Sequence, residues 1–171
     1  MIVYQTPPRA YFASLTDYNN GVLHGVWVDL TMGVEHVEEE IQAMLEASPT
    51  AKETGEEAEE WAVHDLEGLG NISEHDIDEL CEMGEAVDEY GQAYIEFVEN
   101  YGNSLIGEFV ESYQGEYKDE VDFAYELVDS TGMLDGVDPT IAQYFDYEKF
   151  ARDLFMSDYT MLNGHVFCDH F

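Results

Sequence analysis

Basic residues are nearly missing from this chain. Five Lys and Arg stand against 39 Asp and Glu, leaving a formal net charge of −34 over 171 residues. A surface so poor in cations excludes binding to bare nucleic acid or to an anionic membrane face, since both require positive charge. Cysteine is scarce too. Cys81 and Cys168 cannot build a disulfide framework and suit a reducing cytoplasm. No run approaches the roughly 20 apolar residues that span a bilayer. The start, Met1-Ile2-Val3-Tyr4-Gln5-Thr6-Pro7-Pro8, lacks the basic and apolar regions of a secretory signal. A soluble, cytoplasmic protein is expected.

Catalytic constellations are also lacking. There is no Gly-x4-Gly-Lys phosphate loop, and Gly68-x-Gly70-x-x-Ser73 lacks the third glycine of the dinucleotide fingerprint. Ser104 follows Gly102-Asn103 but has no second glycine to form a nucleophile elbow. No Glu-x-x-His, His-Glu-x-x-His or calcium-loop spacing occurs. His165-x-x-Cys168-x-His170 offers three zinc-ligand types without a fourth, so a terminal strand with incidental His and Cys outweighs a zinc site. His24 and His64 fall in strand-like segments and read as hydrogen-bonded structural histidines. Among 39 carboxylates some pairs must lie close by chance, so carboxylate pairing carries no catalytic argument. The expectation is no enzyme, with no catalytic, cofactor or metal residue and no cofactor.

What remains is a core and a surface. Hydrophobic residues make up 45% of the chain, with 12 Tyr, 9 Phe and 2 Trp, which is enough to offset the entropy of ordering and argues against disorder. Division at Gly70 and Gly102 gives three segments, 1–70, 71–102 and 103–171, with net charges of −12, −10 and −12. An acidic tail would concentrate the charge in one block; here every segment carries it.

Periodicity places the elements. Arg9–Leu15 reads as a strand, Asp17–Gly21 as a turn, and Val22–Leu30 as the return strand of a hairpin. Val34, Val37, Ile41, Met44 and Leu45 recur at helical spacing, turning Glu35, Glu38, Glu39 and Glu46 outward. Ser48-Pro49 ends that helix, and Glu60–Asp65 reads as a third strand. A helix capped by Ser73 runs through Met83 and exposes Asp78, Glu79 and Glu82. A second, from Glu85 to Tyr101, buries Val87, Tyr90, Tyr94, Phe97 or Val98, and Tyr101 and exposes Asp88, Glu89, Glu96 and Glu99. Leu105, Ile106, Phe109 and Val110 point to a short helix with Glu108 and Glu111 outward. Lys118–Asp129 buries Val121, Ala124, Tyr125 and Val128 and exposes Asp122, Glu126 and Asp129. Asp146–Met156 is a further helix, and Tyr159–Phe167, with Asn163-Gly164, a closing hairpin or strand. The fold class is therefore α+β: an N-terminal antiparallel sheet plus helix, a helical middle and a C-terminal α+β segment. Three such short units suggest an elongated molecule.

One acidic helix face is ordinarily just solvated, but a near-absence of bases across the whole chain must overcome self-repulsion. Duplex DNA carries one charge per about 1.7 Å of axis, so 34 charges correspond to roughly 58 Å, or about 17 base pairs. A protein with carboxylates in place of phosphates could enter a DNA-binding cleft.

Ordered blocks sharpen this. Pro8-Arg9-Ala10-Tyr11-Phe12-Ala13-Ser14-Leu15-Thr16-Asp17-Tyr18-Asn19-Asn20-Gly21 is followed by Gly25-Val26-Trp27-Val28-Asp29-Leu30 and by Glu60-Trp61-Ala62-Val63-His64-Asp65. The last third holds Tyr144-Phe145-Asp146-Tyr147-Glu148-Lys149-Phe150-Ala151-Arg152-Asp153-Leu154-Phe155, then Asp158-Tyr159-Thr160 and Gly164-His165-Val166-Phe167. In this order the blocks resemble the ArdA antirestriction proteins, leaving about 66–115 matched mainly by composition and helical pattern. The resemblance implies a three-part, elongated, homodimeric DNA mimic that occupies the DNA-binding groove of type I restriction-modification enzymes and blocks restriction or modification of incoming mobile DNA. The matched blocks are aromatic and glycine-rich, so the phosphate-mimic acids are assigned instead to the sixteen outward helix positions named above. Arg152 is expected to pair structurally with a nearby acid. The rival reading is an acidic mimic that binds a nucleoid protein or another DNA-handling protein.

Overall fold

The computed structural model describes residues 6–70, 76–102 and 107–169. Its class is α+β, with two small antiparallel sheets among short helices. The chain divides between Ile95 and Glu96 into two compact units.

In the first unit, β1 (Arg9–Ser14) lies between β2 (Gly25–Asp29) and β3 (Trp61–Glu67), all antiparallel. Ala10, Phe12 and Val28 are buried, and Trp61 meets Phe12 edge-on at 5.4 Å. Arg9, at the start of β1, donates from Nε and Nη2 to Glu67 and lies 4.7 Å from the centre of the Trp27 ring. The link between β1 and β2 is not the expected tight turn. It contains a one-turn helix, α1 (Leu15–Asn19), capped by the Ser14 hydroxyl on the Asp17 amide, and β2 starts at Gly25, not Val22. The reason is Asp17. Its buried carboxylate accepts from the Thr50 amide at 3.0 Å, at the N-terminus of a helix distant in sequence.

A single 3-10 turn (Leu30–Met32) leads into α2 (Val34–Glu46), which buries Val37, Ile41, Met44 and Leu45. Ser48-Pro49 ends α2 as expected, yet it also starts α3 (Pro49–Thr54), with Ser48 as N-cap and Pro49 in the first turn, a position proline favours. His24 donates from Nε2 to the Met44 carbonyl at 2.8 Å, so it is a structural histidine. His64 instead packs edge-on to Tyr18 at 4.8 Å.

The middle helices break at a different glycine from the one the periodicity marked. α4 runs through Gly84 from Ile77 to Tyr90, and the break falls at Gly91, where φ is 59° and ψ −133°. α5 then spans Gln92–Tyr101. Gly84 stays helical because it admits close packing: a Cβ there would stand 2.7 Å from Leu30 Cβ. Gly84→Val should therefore destabilise the fold by about 2 kcal/mol, the usual scale for overpacking, read as a lowered denaturation midpoint. Unchanged stability would mean that α4 does not press on Leu30. The cap of α4 is Asp76, accepting from the Glu79 amide; the expected cap, Ser73, lies outside the described residues, as do Leu105 and Ile106.

In the second unit, β6 (His165–Cys168) lies between β4 (Tyr113–Glu116) and β5 (Tyr159–Leu162). Asn163 and Gly164 both have positive φ, as a two-residue hairpin turn requires. The strand β4 was not anticipated: its four residues, Tyr-Gln-Gly-Glu, carry no apolar alternation. It follows the one-turn α6 (Phe109–Ser112), in which Phe109 is buried but Val110 is exposed, against expectation. Phe97, Tyr101, Phe109, Tyr113 and Phe167 form an aromatic core with ring centres 4.8–6.3 Å apart. α7 (Glu120–Ser130) buries Phe123, Ala124 and Val128, α8 (Pro139–Ala142) is a single exposed turn, and α9 (Tyr147–Leu154) follows its cap, Asp146. Tyr125, expected inside, is exposed and stacks on Tyr147.

Candidate functional site

Helix geometry sorts the acids. On α4, burying Leu80, Cys81, Met83, Gly84 and Val87 leaves Asp78, Glu79, Glu82, Glu85, Asp88 and Glu89 exposed on the remaining faces. At a rise of 1.5 Å per residue, six carboxylates between positions 78 and 89 fall at roughly one per 3.3 Å of helix axis. One strand of B-DNA presents a charge per about 3.4 Å. On α2, Glu35, Glu38, Glu39 and Glu46 are exposed opposite a fully apolar face. On α7, Asp122, Glu126 and Asp129 lie at i, i+4 and i+7, all exposed. Glu99 on α5 and Glu111 on α6 are exposed as well.

Two of the sixteen expected positions depart from this pattern. Glu96 is half-buried and accepts from the Asn163 amide at 2.6 Å. Glu108, just before α6, is half-buried with Oε2 enclosed. Burial costs a carboxylate its reach to an incoming cation, so these two are the least accessible of the set.

The structure also displays acids that helical spacing did not nominate. Glu85 belongs to the α4 set, and it was overlooked because Gly84 read as a helix break. Glu53, Glu56, Glu57, Glu59 and Glu60 are all exposed around the link from α3 to β3; their signal was the acidic cluster itself, which has no period. Several aspartates have a second task. Asp29, Asp76, Asp119, Asp138 and Asp146 each accept an amide hydrogen bond at a helix N-terminus, where negative charge is favoured by the helix dipole.

Few cations are available to neutralise this surface. Arg9 is held by Glu67, and Lys52 donates to the Ala47 carbonyl behind α2. Arg152 pairs with a nearby acid as expected, its Nε 4.0 Å from Asp153, with both side chains more than half exposed. A surface contact of that kind contributes little.

The field of the acids registers on other groups. Burial first, then Glu85 and Asp78, pushes the Cys81 thiol up to about 11, which keeps it protonated and unreactive. Burial, then Glu126 and Asp122, raises the Tyr117 phenol; burial, then Glu116 and Tyr117, raises that of Tyr113. Asp17 goes the other way. Its burial favours the neutral form, but hydrogen bonds from the Thr50, Ser14 and Ser48 hydroxyls and the Thr50 amide outweigh it and hold the carboxyl well below the usual range. Asp17 is thus a structural acid, not part of the binding surface.

Repulsion among so many exposed carboxylates should make the fold salt-sensitive. Raising ionic strength from 10 to 300 mM shortens the Debye length from about 30 Å to below 10 Å, and the melting temperature should rise by several degrees. A flat melting temperature would mean that the charges are already neutralised locally.

No cluster of His, Cys, Asp and Glu suited to holding a metal occurs among the described residues. The His165 ring meets the Tyr113 hydroxyl through Nδ1, and Cys168, three residues along the strand, belongs to the opposite face; His170 lies outside the described residues. No helix among the described residues is long and apolar enough to cross a membrane.

A family model described as antirestriction protein (ArdA) matches residues 10–167. The comparison with curated proteins gives no match.

Proposed function

We propose, from the premise that this chain belongs to the ArdA family of antirestriction proteins, that it acts as a DNA mimic in the DNA-binding groove of its target. The family consists of non-enzymatic inhibitors, and membership implies antirestriction against type I restriction-modification enzymes. On this reading the exposed carboxylates of α2, α4 and α7 stand in for backbone phosphates and meet the lysines and arginines that would grip DNA. Occupancy of the groove then blocks restriction or modification of incoming DNA.

The observation that carries the reading is the exposed half of α4, over which its six carboxylates are spread. Carboxylates at about the axial interval of the phosphates in one DNA strand, with no cation interleaved from Asp78 to Glu89, offer a basic groove the charge density it is built to receive. Apolar packing on the other side of the helix holds that half in place. A homodimer and a three-segment organisation with boundaries at Gly70 and Gly102 belong to the same proposal.

The test is competition between this protein and target duplex for the methyltransferase core of a type I enzyme. Displacement of duplex, one occupant per site, is the expected result. Binding to the core without displacing duplex would sink groove occupancy while leaving antirestriction intact. Capture of nucleoid proteins from a host lysate, with restriction subunits absent, would favour the rival target instead.

A further inference from the structure

The second unit holds a feature that phosphate mimicry alone does not call for. Residues of α7, the segments on either side of it and the first turn of α9 wall an open hollow of about 540 Å³, in which three tyrosines face carboxylates. Tyr125 and Tyr147 stack with ring centres 3.8 Å apart at 19°, and Tyr117 completes the aromatic wall. On α7, Asp122, Glu126 and Asp129 supply the negative edge, and Asp135 from the following loop adds a fourth carboxylate. Lys118 lends Asp122 only its backbone amide, at 3.2 Å, and no Lys or Arg side chain forms an ion pair with the three α7 acids among the described residues. Tyr125 stays 54% exposed although it lies on a helix that buries Phe123, Ala124 and Val128.

We propose that this hollow receives an arginine side chain of the protein partner, its guanidinium lying on the Tyr125–Tyr147 pair and forking to Asp122, Glu126 and Asp129. Carboxylates alone would accept any cation. A parallel tyrosine pair adds a broad π face beside a negative field, and a planar, weakly hydrated guanidinium uses both at once. The compact, strongly hydrated ammonium of lysine has no plane to stack and gains less. An apolar ligand would have to desolvate the carboxylates, and a nucleotide would bring phosphates against them. The groove of an enzyme that grips DNA is a surface on which such arginines stand. The source of the arginine rests on the mimicry reading; the chemistry of the hollow does not.

The two can be tested apart. Titrating the intact protein with L-arginine amide, and separately with L-lysine amide, should shift the aromatic NMR signals of Tyr125 and Tyr147, with arginine binding at least threefold tighter. Tyr125→Leu should abolish that response and Tyr125→Phe should keep it, since only the ring face is needed. In the competition assay Tyr125→Leu should then weaken the enzyme complex about tenfold, with Tyr125→Phe close to the parent. Equal responses to both amides, spread over α2 and α4, would reduce the hollow to general counterion binding and overturn the proposal. So would a Tyr125→Leu protein that loses the amide response yet competes as well as the parent. If the parent never displaces duplex but the arginine-selective shifts persist, the mimicry reading fails and the hollow stands.

Discussion

Raising salt from 50 to 200 mM should weaken the complex with a type I methyltransferase core by about 300-fold. The figure follows from six carboxylates of α4 acting as phosphates in a single strand, each adding about 0.7 to the slope of log K against log salt, so that a fourfold rise in salt acts through a slope of about −4.2. Glu82→Gln, Glu85→Gln and Glu89→Gln together should cut the slope to about −2.1 and the salt effect to about 20-fold. The three residues are exposed and oppose the buried face of α4, so the triple variant should fold, and easing repulsion should not lower its melting temperature. Titration calorimetry or fluorescence anisotropy over a salt series reads both slopes. A parent complex indifferent to salt would remove charge mimicry as the source of affinity. An unchanged slope in the triple variant would move the contact away from α4.

The second large effect concerns a carboxylate that never reaches the surface, Asp17. In a chain with net charge −34, deleting one acid should stabilise the fold if repulsion decides the matter. Asp17→Ala should do the opposite, costing about 3 kcal/mol and lowering the melting temperature by roughly 10 °C, because it leaves buried donors unsatisfied. Chief among them is the Thr50 amide, 3.0 Å from Asp17 Oδ1, which joins α1 to the start of α3. The sign of the pH dependence is fixed by the same contacts. The folded carboxyl titrates below its ordinary value of 3.8, so its stabilisation is fully present above about pH 4 and is lost as pH falls through the lower folded value. Asp17→Asn should therefore show a flatter decline in stability below pH 4 than the parent, measured by chemical denaturation. A neutral or stabilising Asp17→Ala would show that local hydrogen bonding is weaker than the general repulsion.

How legible these features were depended on the range of the interaction behind them. α2 could be read closely from its apolar spacing, because one amphipathic face against one core needs no further information. Arg9–Ser14, Trp61–Glu67 and the Asn163-Gly164 hairpin were likewise local statements about alternation and turn chemistry. Gly84 was misread, since a glycine in a helix marks either a break or a close approach, and only the position of Leu30 chooses between them. Tyr125 was misplaced for a related reason. Its spacing puts it near the apolar face of α7, but the Tyr147 ring, from another helix, gives it a partner outside. Arg152 pairs only with its exposed sequence neighbour Asp153, while Arg9 meets Glu67 across a sheet whose register no local pattern encodes.

Composition by itself determined the sign, the size and the even spread of the charge, because these are sums over residues and do not depend on where the chain goes. Helical period determined fourteen of the acids that reach solvent, because a buried apolar face fixes the opposite one. Tertiary structure alone decided that α4 is continuous through Gly84 and so carries six carboxylates in one run, that Asp17 is sealed inside, and that three tyrosines meet four acids in one hollow. Each of these depends on contacts between residues far apart in sequence, and such contacts exist only once the chain has folded.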